Sequence, residues 1–234
     1  MITTILFDLD GTLLPMDQDK FIQSYLTGLV AKLSPYGFDA AQVGKSIWLG
    51  TGAMVKNDGT QRNDTIFWQT FSHCCGRDMT EYFPIVEEFY RKEFQQVKQS
   101  CGYDPRAVET IRKLQAMGYR LALATNPLFP ALATHSRVRW AGLEPNDFVH
   151  ITTYENSFHS KPSPDYYRDV MNTLNATPEQ CLMVGNDVSE DMIARELGLS
   201  VFLLTDCLIN KDGIDISQYP HGSFPELLEY IRRL

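Results

Sequence analysis

The amino-acid sequence predicts a doubly wound α/β fold, in which helices cover both faces of a parallel sheet, with a helical insertion near the start of the chain. Short apolar runs alternate with amphipathic segments over most of the 234 residues, and this alternation is typical of parallel strands joined by crossover helices. Residues 16–100 interrupt the alternation, because they contain several runs of helical period and no convincing strand. We therefore expect two structural parts with different architectures.

Five apolar runs are the predicted strands. Each is short, and such runs are typical of buried strands that end at a loop of acidic, amide, hydroxyl or glycine residues. The runs occupy residues 4–8, 119–125, 148–152, 181–185 and 199–205. Because ligands of such sheets bind at the carboxyl ends of the strands, the residues that follow these runs are the candidates for a functional site.

Amphipathic segments between the strands are the predicted helices. Their apolar residues recur at spacings of three and four, which places those residues on one face of a helix. The segment before the second strand begins at Pro105, and the others span residues 130–140, 164–174 and 190–197, the last of them closed by Gly198.

The inserted stretch is predicted to be helical throughout. Apolar residues recur at helical spacings from Phe21 and again from Phe83. The chain leaves the sheet near Leu14 and returns near Gly102, so these two crossing segments are candidate hinges. The expected domains are a sheet core of residues 1–15 and 101–234 and a small α-helical cap of residues 16–100.

The composition indicates a globular, acidic protein. Hydrophobic residues make up 44% of the chain, and 21 Lys and Arg against 29 Asp and Glu give a net charge of −8. The electrostatic field of this negative charge repels the phosphate backbone of a nucleic acid, so nucleic acid is not an expected partner. No apolar run reaches the length of a membrane span, and the five irregularly spaced cysteines favour neither disulfides nor a zinc cluster. We expect a cytoplasmic monomer or weak homodimer without a membrane partner.

Two aspartates, Asp8 and Asp10, stand at the end of the first predicted strand. Side chains two residues apart on an extended strand point to the same side, so the two carboxylates can hold a cation or divide the roles of nucleophile and acid. A surface loop can carry such a pair by chance. Here the apolar residues 5–7 before it and the Gly-Thr-Leu sequence of residues 11–13 after it place the pair at the mouth of a buried strand.

Residues 7–13 (Phe-Asp-Leu-Asp-Gly-Thr-Leu) resemble the first motif of the haloacid dehalogenase superfamily of phosphotransferases. Counterparts of that family's other three motifs follow in order at residues 125–126, 161–164 and 185–191. The resemblance covers residues 1–14 and about 102–205, and it implies a Rossmann-like catalytic core. The insertion lies where this superfamily places a helical cap.

The resemblance implies a role for each residue of these motifs. Asp8 is expected to be the nucleophile that forms an aspartyl-phosphate. Asp10 is expected to protonate the departing alcohol and then to deprotonate the water that hydrolyses the intermediate. Thr125, Asn126 and Lys161 are expected to bind the phosphoryl oxygens. Taken singly, Thr125 could instead begin a turn, and Lys161 could be an exposed lysine at a helix start.

A metal site is expected beside the nucleophile. A dianionic phosphate monoester needs cations near an attacking carboxylate, and Mg²⁺ is a hard ion that binds one or two carboxylates together with phosphate and water. Asp8 and Asp187 would supply the carboxylates, and the resemblance implies that the backbone carbonyl of Asp10 is a further ligand. Asp191 is expected to hold a metal-bound water or to orient Lys161. Alternatively, Asp187 and Asp191 could cap the helix that follows them.

The predicted function is hydrolysis of a small-molecule phosphate monoester by a Mg²⁺-dependent phosphatase, through an aspartyl-phosphate intermediate. Two alternatives remain open: a phosphomutase that uses Asp8 and Asp10 on a sugar phosphate, and a ligand-binding member of the fold without catalysis. Dehalogenase relatives lack the second acid and use no Mg²⁺, so Asp10 argues against a dehalogenase.

Three further features of the sequence bear on the substrate and the metal. Relatives that cleave phosphonates use a cap lysine, whereas the cap lysines here lie in no matching motif (Lys20, Lys32, Lys45 and Lys56). Lys56 and Arg62 lie in a polar stretch of residues 50–64, and either could reach a second anionic group of the substrate. A solvated loop also explains this stretch. Asn186 stands between Gly185 and Asp187, where many relatives have Gly-Asp, and the four-residue spacing to Asp191 favours Asp187 as the ligand.

Overall fold

The computed structural model describes residues 1–234 and contains a parallel sheet of six strands. The strands are β1 (Thr4–Phe7), β2 (Arg120–Leu123), β3 (His150–Ile151), β4 (Cys181–Gly185), β5 (Ser200–Leu204) and β6 (His221–Gly222). Their order is β3-β2-β1-β4-β5-β6, and every neighbouring pair is parallel. The chain builds the sheet outward from β1, first to one side and then to the other, so the predicted doubly wound fold is confirmed.

Eight α-helices accompany the sheet. They are α1 (Gln18–Leu33), α2 (Ala40–Val55), α3 (Asn63–Cys75), α4 (Phe83–Arg91), α5 (Pro105–Ala116), α6 (Ala131–Trp140), α7 (Pro164–Leu174) and α8 (Phe224–Ile231). Short 3₁₀ helices join them at Ser34–Tyr36, Met79–Tyr82, Glu93–Ser100, Pro145–Asp147, Pro178–Gln180, Met192–Leu197 and Ile216–Gln218. Helices α5, α6 and α7 occupy the predicted positions.

The structure differs from the expectation in two places. Strand β6 and helix α8 were not predicted. Strand β6 has two residues and leaves no apolar run, whereas α8 does carry apolar residues at helical spacing, Phe224, Leu227 and Ile231. The segment expected as a helix over 190–197 is the 3₁₀ helix Met192–Leu197, which does end at Gly198 with a φ of 92°. The residues before this segment form a turn instead, since their backbone N–H groups donate to the side chains of Asp187 and Asp191.

Two adjacent connections join the helical segment of α1 to α4 to the sheet. Met16 and Cys101 form an isolated antiparallel bridge, and the Gly102 N–H donates to the Pro15 carbonyl at 2.7 Å. Beyond these connections, Phe21 of α1 packs against Phe129, which follows β2, at 5.8 Å between ring centroids. One hydrophobic cluster therefore runs from the sheet into the helical segment. The division into a core and a cap is a proposal that the chain path suggests.

None of the helices has both the length and the apolar character that a membrane crossing requires.

Candidate active site

The candidate residues meet at the carboxyl end of the three central strands. Asp8 follows β1, Thr125 follows β2 and Asp187 follows β4, and β1 pairs with both of the other strands. Lys161 reaches the same place from the loop before α7. Asp8, Thr125 and Asp187 line a cavity of about 190 Å³, together with Asp10, Asn126, Asn186, Glu190 and Asp191, whereas Lys161 is buried behind Asp8.

The carboxylate of Asp8 is buried and held by two donors. Oδ1 accepts a hydrogen bond from Lys161 Nζ at 3.0 Å, and Oδ2 accepts one from the Thr12 hydroxyl at 3.1 Å. The backbone N–H of Asp8 donates to Val184 O and so continues the pairing of β1 with β4. This carboxylate therefore has a fixed orientation at the floor of the cavity.

Lys161 is a buried cation placed between two acids. Its side chain is fully buried, and Nζ also donates to Asp191 Oδ1 at 2.6 Å. Burial alone would lower the pKa of Lys161, but the charges of Asp191 and Asp8 outweigh it and raise the pKa well above its ordinary value. Lys161 is thus a permanent positive charge next to Asp8, and it is not an exposed lysine at a helix start.

Asp191 is buried at the carboxyl end of β4 and connects the loop after this strand to Lys161. Its Oδ2 accepts a hydrogen bond from the Asp187 N–H at 3.0 Å while its Oδ1 orients Lys161. Burial raises the pKa of Asp191 against the opposing charge of Lys161. Gly185 makes this arrangement possible, since a Cβ at that position would lie 2.0 Å from Asp191 Oδ2.

The carboxylate of Asp187 has one engaged oxygen and one free oxygen. Oδ1 accepts hydrogen bonds from the N–H groups of Ser189 and Glu190 at 2.8 and 2.9 Å, so Asp187 does cap the turn that follows. Oδ2 accepts no hydrogen bond from the protein, and the residue lines the cavity. Capping and ligand binding are therefore compatible in this side chain.

Asn186 ties the first motif to the loop after β5. Its Oδ1 lies 2.9 Å from the Thr12 hydroxyl, whose one hydrogen it shares with Asp8 Oδ2, and its Nδ2 donates to Cys207 O at 2.7 Å. Gly11, with a φ of 83°, lies so close that a Cβ there would be 2.3 Å from Asn186 Nδ2. The amide of Asn186 is committed to these contacts.

Asn126 organises the loop after β2. Its Oδ1 accepts a hydrogen bond from the Lys161 N–H at 3.2 Å, and its Nδ2 donates to Glu190 Oε2 at 3.0 Å. Thr125 is buried at the cavity, and its carbonyl accepts from the hydroxyls of Thr152 and Tyr166. Glu190 was not predicted as a site residue, although it directly precedes Asp191. Burial raises the pKa of its carboxyl.

Asp10 has a partner that the sequence analysis missed. Arg137, a buried residue of α6, donates from Nη1 to Asp10 Oδ2, whereas the buried Asp10 Oδ1 has no hydrogen-bond partner. Burial raises the pKa of Asp10 and exceeds the opposing effect of Arg137. The sequence gives no signal for this pairing, and the structure shows that Arg137 lies on the helix face that also carries the buried residues Ala133 and Thr134.

Apolar side chains form the wall of the cavity above these polar groups. They come from the start of the helical segment and from the loops after β2 and β5, and they are Met16, Phe21, Ile22, Leu128, Phe129 and Ile209. Two polar side chains, Gln18 and Lys211, also line the cavity. Lys56 and Arg62 do not line the cavity, and Arg62 pairs with Asp64. Asn63, the buried first residue of α3, instead contacts the loop before α7 through its Nδ2, which donates to Ser160 Oγ at 3.1 Å.

The donor set of the site fits a hard divalent cation. No three His, Cys, Asp or Glu side chains form a cluster that could hold a metal ion. Mg²⁺ does not need one, because it typically binds one or two carboxylates and completes its shell with substrate phosphate and water. Asp8 and Asp187, both at the cavity, would supply these carboxylates, and the backbone carbonyl of Asp10 would add a third oxygen.

Comparison with known proteins identifies the relatives of this chain. The model of a family described as haloacid dehalogenase-like hydrolase matches residues 2–198. The phosphoglycolate phosphatase of Colwellia psychrerythraea is 27% identical over 235 residues, which cover 98% of this chain and 96% of the relative.

Solved structures share the fold. The HAD phosphatase of Thermococcus onnurineus is similar with a TM-score of 0.61 at 20% identity, over 98% of each chain. The 2-haloacid dehalogenase of Pseudomonas syringae pv. Tomato is similar with a TM-score of 0.64 at 19% identity, over 100% of this chain and 99% of the relative. Since phosphatase and dehalogenase have the same fold, the choice between these chemistries rests on the residues of the site.

Proposed function

The chain belongs to the haloacid dehalogenase-like hydrolase family as a phosphatase-like member, and we propose that it hydrolyses a small phosphate monoester through an aspartyl-phosphate on Asp8, with Mg²⁺ as its metal. One observation carries this proposal. The buried carboxylate of Asp8 is held between Lys161 and Thr12, and a second acid, Asp10, lines the same cavity. This pair provides a nucleophile and an acid at one position.

In the first step, an oxygen of Asp8 attacks phosphorus while the bond from phosphorus to the substrate alcohol oxygen breaks. Lys161 lowers the electrostatic repulsion between the carboxylate and the phosphoryl group. Mg²⁺, when bound by Asp8, Asp187 and the Asp10 carbonyl, would supply further positive charge for the developing negative oxygens. The Thr125 hydroxyl and the backbone N–H of Asn126 would donate hydrogen bonds to the phosphoryl oxygens.

Asp10 would act as the acid and base of both steps. In the first step its carboxyl proton passes to the departing alkoxide, which leaves as a neutral alcohol. In the second step the resulting carboxylate removes a proton from water, which attacks the aspartyl-phosphate and releases inorganic phosphate. Proton transfer of this kind typically contributes about 10²- to 10⁴-fold in rate. A halide would leave without a proton, so this acid supports the phosphatase over a dehalogenase.

The cavity supports a small substrate. Its volume of about 190 Å³ is below the roughly 300–1,000 Å³ of typical ligand pockets. The apolar wall provides contacts for the leaving alcohol and excludes water from the phosphoryl group. The net charge of −8 supports a free small molecule as partner over nucleic acid.

A panel of phosphate monoesters tests the function, with phosphoglycolate, a ribitol phosphate, a hexose phosphate and p-nitrophenyl phosphate as members. We expect release of inorganic phosphate with Mg²⁺ from at least one alkyl ester. Acid quenching during turnover of a ³²P-labelled ester should leave label on wild-type protein and none on Asp8→Asn. Isomerisation of the hexose phosphate without net release would identify a phosphomutase, and binding without either reaction would identify a non-catalytic protein.

A further inference from the structure

Arg137 is a charged residue in a position that normally holds an apolar one. It is 1% exposed and lies on the inner face of α6, beside Thr134 and Val138. Arginine is almost never buried to this degree without a partner, because desolvating its charge is costly. Its single acidic partner is Asp10, which lies 127 positions away in the sequence.

The surroundings of Arg137 fix the plane and the direction of its guanidinium group. Nη2 donates to the Thr134 hydroxyl at 3.3 Å. The guanidinium carbon lies 4.5 Å from the ring centroid of Phe129 and 5.8 Å from that of Phe21. A planar cation packed between two rings has little freedom to turn, so the direction of its bond to Asp10 is set by the fold.

This bond leaves Asp10 with one held oxygen and one buried oxygen that accepts no hydrogen bond. Oδ2 accepts from Arg137, and Oδ1 has no partner in the protein. A carboxyl group that passes a proton to a leaving group must keep one oxygen without a competing hydrogen bond and must hold it in a narrow range of directions.

From this geometry we propose that Arg137 is a positioning residue that orients the Asp10 carboxyl for proton transfer to the leaving alcohol. The inference rests on the proposed phosphatase function and assigns Arg137 no contact with substrate. It requires that loss of Arg137 harm the steps that need Asp10 more than the steps that do not.

Leaving-group dependence provides the test. An alkyl phosphate needs an acid for its alkoxide, whereas p-nitrophenyl phosphate releases a stable phenolate without one. For Arg137→Met we expect kcat to fall about tenfold more with the alkyl ester that the wild type hydrolyses fastest than with the aryl ester, with KM changed little. Arg137→Lys should recover part of this loss, since it keeps the charge but not the fork geometry.

Two controls separate positioning from a general effect. The exposed Arg139, two residues further along α6, pairs with Glu144, and Arg139→Met should leave both kinetic constants unchanged. In an Asp10→Asn background, Arg137→Met should not change the ratio of alkyl to aryl kcat any further, because the acid is already absent. Circular dichroism and thermal melting of each variant measure folding.

Arg137→Met leaves Asp10 buried without its partner and can fail to fold. In that case Arg137→Lys and the Asp10→Asn/Arg137→Met double variant, which removes both charges of the pair, provide the comparison. Equal losses on the two esters in folded Arg137 variants, or a further change of the ratio in the Asp10→Asn background, would overturn this inference and leave the phosphatase function intact. A wild-type protein that releases phosphate from no ester of the panel would contradict both.

Discussion

The floor and the wall of the candidate active-site cavity consist of different kinds of side chains. The floor consists of charged and polar side chains at the ends of β1, β2 and β4, and each carboxylate there has hydrogen-bond partners within the protein. The wall is mainly apolar, with side chains such as Phe21 and Ile22 from α1 and Phe129 from the loop after β2, and it also contains Gln18 and Lys211. We infer that the floor carries the chemistry and the wall selects the leaving group, so changes on the floor should lower kcat and changes in the wall should raise KM.

The nucleophile is the position where the floor should be most sensitive. We expect Asp8→Asn to lower kcat by about 10⁴-fold or more, as removal of a nucleophile does in other covalent mechanisms. The variant should stay folded, because asparagine keeps the size of the side chain and Lys161 retains Asp191 as a partner. Steady-state kinetics and thermal melting measure the two effects. The exposed Asp206 provides the matched control, Asp206→Asn, which should have wild-type kcat.

Near-normal turnover in Asp8→Asn would exclude Asp8 as the nucleophile. It would also contradict the assignment of the chemistry to the floor, because no other carboxylate of the floor is held by a lysine and a hydroxyl together.

Metal removal affects the same region without changing a side chain. Excess EDTA should reduce phosphate release to background, and added Mg²⁺ should restore it, since a floor that contains Asp8, Asp10, Asp187, Glu190 and Asp191 opposes binding of a dianion. The measurement is phosphate release before chelation, after chelation and after readdition of Mg²⁺. Full turnover in EDTA would contradict the metal requirement and would show that protein cations such as Lys161 and Lys211 suffice to neutralise the site.

Lys161 links the chemistry of the floor to the stability of the fold. Lys161→Met would leave Asp8 and Asp191 buried without their shared cation. Removal of one partner from a buried ion pair typically destabilises a protein by about 3–5 kcal/mol, and we expect a loss of this size together with loss of activity. Urea denaturation measures the free energy of unfolding.

A double variant sharpens this prediction. Lys161→Met/Asp191→Asn removes one negative charge together with the positive one, so it should be more stable than Lys161→Met alone. If the single and double variants unfold at the same urea concentration, the ion pair between Lys161 and Asp191 does not determine stability.

The two regions also differ in how far the sequence predicts them. Strand ends and the acids that follow them are local patterns, so β1, β2 and β4 and the positions of Asp8 and Asp187 could be read from short segments. The partners of these residues are set by tertiary packing. Arg137 meets Asp10 across 127 positions, and Asn63 meets Ser160 across 97. Nothing near either residue in the sequence specifies its partner.

The wall shows the same limit. Phe21 and Ile22 were predicted as residues of an amphipathic helix, and that pattern does not tell which apolar residues face a neighbour and which face a cavity. In the structure both residues line the cavity, but Phe21 is buried against Phe129, whereas Ile22 is only partly buried. Helix period predicts burial, and only the position of α1 against the sheet decides what each residue contacts.

Ile22 is therefore the wall residue whose substitution should change KM and leave kcat unchanged. We expect this effect to be smaller than those of the floor variants. Ile22→Val removes one methylene from the cavity surface, and one methylene in a hydrophobic pocket typically contributes about 1–3 kcal/mol to discrimination between substrates. Because Ile22 is only partly buried, we expect the lower end of that range, a rise in KM of about fivefold for the preferred alkyl ester, with kcat unchanged.

The matched control is Val30→Ala on the same helix, a partly buried position that does not line the cavity and should leave KM unchanged. A substrate with one additional methylene in its alcohol tests the complementary fit, because it should lose less affinity in Ile22→Val than in the wild type. A fall in kcat with KM unchanged would show that Ile22 acts on the reacting groups, and the assignment of chemistry to the floor and selection to the wall would then be wrong.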